Sequence, residues 1–205
     1  GVIDETFAAY IWYMVEKRKT FMIAGGTGAG KTTLLNAFSL FIRPGMKIVT
    51  VEDTPELNLP HENWVQLSTR VSYAIVGQKT SEITLYDLVK ISLRYRPDYI
   101  IVGEVRGEEA FVLFQAMATG HGGLSTIHAE TLDYAIKRLM SPPMNIPPTY
   151  MRLMNIFMHI QRVVKPKTPT KFKIERRVTI AQEVADYNDY RTVMKWDPIK
   201  DKHEM

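Results

Sequence analysis

One octet in this 205-residue chain has the residue types and spacing to hold phosphate. Gly25-Gly26-Thr27-Gly28-Ala29-Gly30-Lys31-Thr32 fits the pattern G-x-x-x-x-G-K-[ST]. A chain of average composition and this length would show it by chance on the order of 1% of the time. Glycines let backbone N–H groups close around phosphate oxygens, and a following helix adds the partial positive charge of its N-terminus. The octet directly follows an apolar run, residues 20–24, and Lys31 opens a segment with helical periodicity, residues 31–42. That is the strand–loop–helix context the chemistry requires. The residues expected to bind a nucleotide are therefore Gly26, Thr27, Gly28, Ala29, Gly30, Lys31, Thr32 and Thr33. Lys31 is expected to reach the β- and γ-phosphates, and the Thr32 hydroxyl to ligate Mg²⁺. There is no guanine-reading N-K-x-D block, so ATP with Mg²⁺ is the expected pair.

In a parallel sheet all strand C-termini share one edge, and the ligand sits there. The residues just after each apolar run are thus informative. Residues 48–51 are followed by Glu52 and Asp53, residues 99–102 by Gly103 and Glu104, and residues 124–127 by His128. Glu104 ends its run as the acid of a Walker B strand does, although the common form has Asp where Gly103 stands. Glu104 is then expected to act on Mg²⁺ through water, and to orient or deprotonate an attacking water. Glu52 is the second catalytic carboxylate, and spacing alone does not divide the duties between them. His128 is expected near the γ-phosphate, where its ring could read phosphate by a hydrogen bond and pass the signal to the next helix. His121 lies seven residues earlier, roughly 20 Å away along an extended strand, so the two do not share a metal.

Helical stretches are expected at residues 6–17, 31–42, 84–95, 108–119 and 131–140, and strands at 20–24, 47–51, 65–67, 99–102 and 124–127. Continuously apolar strands alternating with helices predict an α/β fold with a mostly parallel sheet covered on both faces. Four prolines in residues 141–149 break the pattern. Residues 156–164 and 172–184 then read as antiparallel strands joined by a solvated turn, 165–171. The expected division is a core at 1–162 and a small antiparallel appendage at 163–205, whose Lys165, Lys167, Lys171, Lys173, Arg176 and Arg177 read as a solvated face.

Composition bounds the alternatives. With no cysteine there are no disulfides or thiolate metal sites, and no apolar run reaches the 18–20 residues of a membrane span. A net charge of +4 is too small to argue for nucleic acid by itself. The first residues, Gly1-Val2-Ile3-Asp4, have no signal-peptide character and no initiator Met, so the chain is expected to be a piece of a longer protein.

Four blocks read together carry a resemblance. Residues 25–33, 49–57 (VTVEDTPEL), 96–106 (RPDYIIVGEVR) and 120–130 (GHGGLSTIHAE) stand in an order and spacing that resemble the type II/IV secretion ATPase superfamily, in its archaeal branch. That superfamily includes motors of type IV pili, archaella and secretion systems. The resemblance implies a RecA-like P-loop fold and ATP held between subunits of a homo-hexamer. It carries over Glu52 as the Asp-box acid, Glu104 as the Walker B glutamate and His128 as the His-box contact. Its Walker B has the Gly-Glu form, so Gly103 fits. It further implies a cytoplasmic location against an inner-membrane platform protein, and an N-terminal domain with no counterpart in this chain. Arginines acting in trans are expected, with Arg94 and Arg106 preferred over Arg70 and Arg96. A RecA-like nucleic-acid translocase and a non-hydrolysing nucleotide switch are the alternatives. The first lacks a basic stripe with interleaved aromatics, and the second sits poorly with the carboxylates Glu52 and Glu104.

Overall fold

The computed structural model describes residues 1–70, 82–168 and 171–205, and the side chains of 166–171 lie outside what is described. Among the described residues, five α-helices, α1 (Glu5–Glu16), α2 (Lys31–Ser39), α3 (Leu85–Ser92), α4 (Glu109–Ala118) and α5 (Leu132–Met140), flank one nine-stranded sheet. The strands are β1 (Phe21–Ala24), β2 (Ile48–Glu52), β3 (Trp64–Ser68), β4 (Tyr99–Val102), β5 (Gly122–Ile127), β6 (Ile156–Thr168), β7 (Lys171–Asp186), β8 (Asp189–Asp197) and β9 (Lys202–Glu204). They lie in the order β3-β2-β4-β5-β1-β6-β7-β8-β9. Every pairing from β3 to β6 is parallel, and those from β6 to β9 are antiparallel. This is the α/β architecture expected, a mostly parallel RecA-like sheet with antiparallel strands at its C-terminal side.

The uninterrupted apolar strands are buried on both faces, as expected. On β1, Phe21 and Ile23 face a cluster built with Phe7, Ile11 and Val15 of α1 and Leu35 and Phe38 of α2. Met22 and Ala24 face the other cluster, with Leu88 and Val89 of α3, Leu113 and Phe114 of α4 and Ile136 of α5. Burying each of the large side chains stabilises the fold by roughly 1.5–3 kcal/mol before entropy is counted. The Pro-rich break supplies Met144 and Ile146 to the second cluster, and the short turn after it supplies Met151 and Met154. Among the described residues no helix is long and apolar enough to cross a membrane.

The C-terminal part departs from the reading of the sequence. The expected turn at 165–171 is narrower, because β6 continues to Thr168 and β7 starts at Lys171, with Lys165 opposite Lys173. The expected boundary at 162/163 falls inside β6. β8 and β9 have no counterpart among the expected strands. The turn into β8 carries Asn188 at φ 65°, a hairpin signal present in the sequence. Lys173 and Arg176 are exposed as expected, but Lys165 and Arg177 are not part of a solvated face. Arg177 is only 6% exposed and pairs with Glu175 and Asp201, which also engage Lys173 and Lys165 respectively. Strand alternation gathers these odd-numbered β7 residues on one face, where opposite charges meet. The side chains of Lys167 and Lys171 lie outside the described residues.

Candidate nucleotide site

Strand order decides what can meet at the C-terminal edge of the sheet. β5 lies between β1, which feeds the phosphate loop, and β4, which ends at Gly103 and Glu104. β2 is the other neighbour of β4, with Val51 opposite Val102, so Glu52 and Gly103 follow side by side. His128, following β5, stands between the phosphate loop and Glu104 along the edge. The edge is tied together by side chains and backbone. Ser125 Oγ donates to Val102 O at 2.8 Å, Thr126 Oγ1 to Gly103 O at 2.7 Å, and Val105 N to Thr126 O at 2.9 Å.

The phosphate loop has the backbone its glycines permit. Gly28 and Gly30 take φ of +69° and +98°, a region side chains rarely enter. Asp4, Thr84 and Thr131 cap α1, α3 and α5 with side-chain oxygens, whereas α2 starts after Gly30 with no side-chain cap. Its first-turn N–H groups are thus left for an oxyanion. Lys31 Nζ donates to Gly26 O at 3.3 Å, which holds the ammonium back along the loop.

A cavity of about 130 Å³ joins the loop to the acids: Thr32, Glu52, Asp53, Gly103, Glu104 and Arg106 line it. The two glutamates differ in what they touch. Glu52 is 3% exposed, and its Oε1 accepts from Glu56 N at 2.9 Å and Leu57 N at 3.0 Å. It folds the loop after β2 around itself. Glu104 is half-buried, and among the described residues its carboxylate makes no hydrogen bond, so both oxygens are open to water or ligand. The donors suit Mg²⁺, which prefers oxygens, keeps several waters and usually relies on substrate phosphates. Among the described residues there is no group of three His, Asp or Glu side chains able to hold a metal.

The geometry also explains Gly103. A Cβ built there would stand 3.1 Å from Glu52 Cγ and 3.7 Å from its Oε1. The space that an Asp would need is filled by the Glu52 side chain. Gly103→Asp should therefore force two carboxylates together in a tight site, and we expect a loss of about 1–3 kcal/mol in stability, read as a lowered urea midpoint at unchanged m. An unchanged midpoint would show that Glu52 can step aside.

Of the preferred arginines, Arg106 is at the phosphate edge, paired with Asp53. Its loop is shaped by Glu109, a buried acid that sequence reading overlooked. Glu109 Oε1 accepts from Arg106 N and Gly107 N, each at 2.7 Å. Its signal was an acid in the first turn of a helix, two residues after a glycine. Arg94 is exposed in the turn Leu93–Tyr95, ahead of β4 and so at the opposite edge of the sheet. Arg96 is exposed beside it, and Arg70 is exposed after β3. His128 has an exposed side chain, and its carbonyl accepts from Arg138 Nη1 of α5 at 2.6 Å, a direct link from the strand end to the next helix. His121 begins the far end of β5, bonded to Thr119 and Ala116 O. His159, given no role from sequence, lies opposite Ala24 with its Nδ1 2.9 Å from Thr179 Oγ1, and burial pushes its pKa below the usual histidine value.

Comparison with known proteins bears out the family resemblance carried by the four sequence blocks. The family model described as type II/IV secretion system protein matches residues 1–187. An uncharacterised protein of Methanocaldococcus jannaschii is 46% identical over the whole chain, which covers 75% of that relative. The type IV secretion system protein PtlH of Bordetella pertussis is 44% identical over 128 residues, 61% of this chain and 37% of PtlH. Among solved structures, the VirB11 ATPase of the Brucella suis type IV secretion system, in complex with sulphate, superposes with a TM-score of 0.62 at 27% identity. That match covers 83% of this chain and 51% of VirB11. The pilus retraction motor PilT, solved with ADP, shares the fold, with a TM-score of 0.61 at 22% identity over 86% of this chain and 50% of its own. With a family model spanning most of its length and a relative this similar across all of it, the chain belongs to the type II/IV secretion system protein family.

Proposed function

We propose that this chain is the ATP-hydrolysing part of a motor that drives assembly or retraction of a pilus-like filament, or protein export. It works as a homo-hexamer on the cytoplasmic side of a membrane complex, against a platform protein. The observation that carries this is the cavity shared by Thr32 of the phosphate loop with Glu52 and Glu104. A nucleotide switch needs the loop; hydrolysis needs, in addition, a free carboxylate beside it.

The contacts support these roles. The loop N–H groups of Gly26 to Gly30 and the start of α2 bind phosphate oxygens, Lys31 pairs with the β- and γ-phosphates, and Thr33 borders the same groove. Thr32 supplies a hydroxyl ligand to Mg²⁺, with Glu104 reaching it through water; when bound, the ion neutralises charge on the phosphate oxygens. Glu104, with both oxygens free, orients the attacking water and accepts its proton. Glu52, committed to the N–H groups of residues 56 and 57, positions the loop after β2 and lines the cavity beside Thr32. His128 contacts the γ-phosphate region, and Arg138 carries its displacement to α5. Arg106, exposed at the edge and paired with Asp53 among the described residues, and Arg94, exposed on the far edge, can reach a neighbouring subunit. In a ring, opposite edges of adjacent subunits can meet.

The test is how hydrolysis responds to assembly. Phosphate release per chain should rise steeply with protein concentration as sites are completed by neighbours, and should not respond to single-stranded DNA. Activity per chain that is independent of concentration but stimulated severalfold by DNA would favour a nucleic-acid translocase instead.

A further inference from the structure

The even-numbered face of the β6–β7 hairpin holds a feature that the roles above do not use. Arg162 and Arg176 are directly opposite each other across the two strands. Like charges so paired are destabilising. On the odd-numbered face of the same hairpin, Lys165, Lys173 and Arg177 are all matched by Glu175 or Asp201. Among the described residues neither Arg162 nor Arg176 has an acidic partner, and both are exposed. The hairpin thus compensates every cation described on one face and leaves two facing each other on the other.

Their position accounts for this. β6 pairs with β1, so the hairpin continues past the end of β1 and runs alongside the phosphate loop. A Cβ built on Gly30 would stand 3.0 Å from Arg176 Cδ and 3.4 Å from its Nε; one on Gly28 would stand 3.8 Å from Arg162 Nη1. Arg176 lines the groove that also holds Gly28 to Thr33, with Glu56 on its rim. It lines a second, apolar cleft too, formed by Val2, Ile3, Phe38, Phe41 and Ile160. Gly30, Thr33 and Arg176 belong to both. Arg176 therefore stands where a phosphate chain lying in the groove would continue toward the apolar cleft, and Arg162 stands over the opposite part of the loop.

We infer that Arg162 and Arg176 bind the polyphosphate of the nucleotide in cis, from the β6–β7 hairpin, so that the hairpin completes the phosphate site of its own subunit. The inference rests on the nucleotide-site reading above and extends it to residues that no motif contains. Guanidinium forks suit phosphate oxygens, and an anion between the two arginines removes the like-charge penalty. The phosphates would then be held from two sides, by backbone N–H groups below and guanidinium groups above. Nucleotide loading would also set the position of the hairpin.

The experiment is calorimetric titration with Mg·ATP and, separately, with inorganic tripolyphosphate. Arg162→Gln and Arg176→Gln should each weaken both ligands about tenfold or more, the usual scale for a charge-assisted contact. Arg176→Lys, which keeps the charge but loses the fork, should fall between parent and Arg176→Gln. It also guards against misfolding as the cause, as do melting temperatures no lower than the parent's, expected because both side chains are exposed and either substitution relieves the like-charge pair. Lys31→Ala is run alongside. If Lys31→Ala abolishes binding while both arginine variants stay within about twofold of the parent, the inference is overturned and the phosphate-loop reading stands. If Lys31→Ala binds like the parent, that reading falls and the inference with it. A loss for ATP that is absent for tripolyphosphate would also overturn the inference, because the contact would then be to the nucleoside.

Discussion

Lys31→Ala should leave a folded protein that no longer binds or hydrolyses ATP, with turnover reduced about a hundredfold or more. Lys31 is half-buried at the start of α2, and its one described hydrogen bond, to Gly26 O, is long at 3.3 Å. Little of the fold depends on that contact. Alanine is also the best helix former, and α2 keeps its buried face of Leu34, Leu35 and Phe38. The melting temperature should therefore change little. What disappears is the ammonium proposed to meet the β- and γ-phosphates, where charge grows as the bond to the leaving group breaks. Equilibrium binding and phosphate release, measured on the same preparation, check both halves. A variant that hydrolyses at the parental rate would mean that the loop holds no phosphate.

Glu104→Gln should separate binding from chemistry. Glutamine keeps the shape and length of the side chain and makes no new demand on the protein, since Glu104 has no hydrogen bond to lose among the described residues. The substitution removes the proposed proton acceptor, and general-base catalysis is worth about 10²–10⁴ in rate. It also removes a negative charge near the phosphates, so ATP should bind as well as before or more tightly. The expected variant is thus a tight binder with turnover lowered by at least about a hundredfold. The same change at Glu52 would be harder to interpret, because its Oε1 also holds the backbone of residues 56 and 57. A Glu104→Gln protein with undiminished turnover would transfer the base to another group, with Glu52 the first candidate.

Much of this was legible in the residues. The phosphate loop announces itself because glycine, lysine and threonine are each required at fixed places. The strand ends do so because a polar residue after a run such as Tyr99 to Val102 has only the sheet edge to occupy. Both-faced burial of β1, β2, β4 and β5 was legible for the same reason, as their residues are buried on either side. The order of the strands was not legible. Nothing local says that β5 inserts between β1 and β4, yet this sets His128 between the loop and Glu104. The division of labour between the glutamates was hidden as well. Which carboxylate is tied down depends on how the loop after β2 folds, and the fit of Glu52 over Gly103 is a tertiary contact. Lys165 and Arg177 were misread because composition does not carry register. Lys173, Glu175 and Arg177 share a face that pairs with Lys165 and Asp201, whereas Arg176, one residue away, faces the phosphate loop. β8 was missed because only Met194 of its residues is buried, so it shows almost no apolar alternation.

The central claim is that one cavity at the sheet edge, shared by the phosphate loop and Glu104, hydrolyses ATP. Phosphate release from Mg·ATP by the assembled protein, compared with ATP binding in the same samples, tests it most directly across the parent, Lys31→Ala and Glu104→Gln. The account predicts turnover in the parent alone, with binding lost in Lys31→Ala and kept in Glu104→Gln. Equal turnover in all three, or none in a parent that binds ATP and assembles, would contradict it.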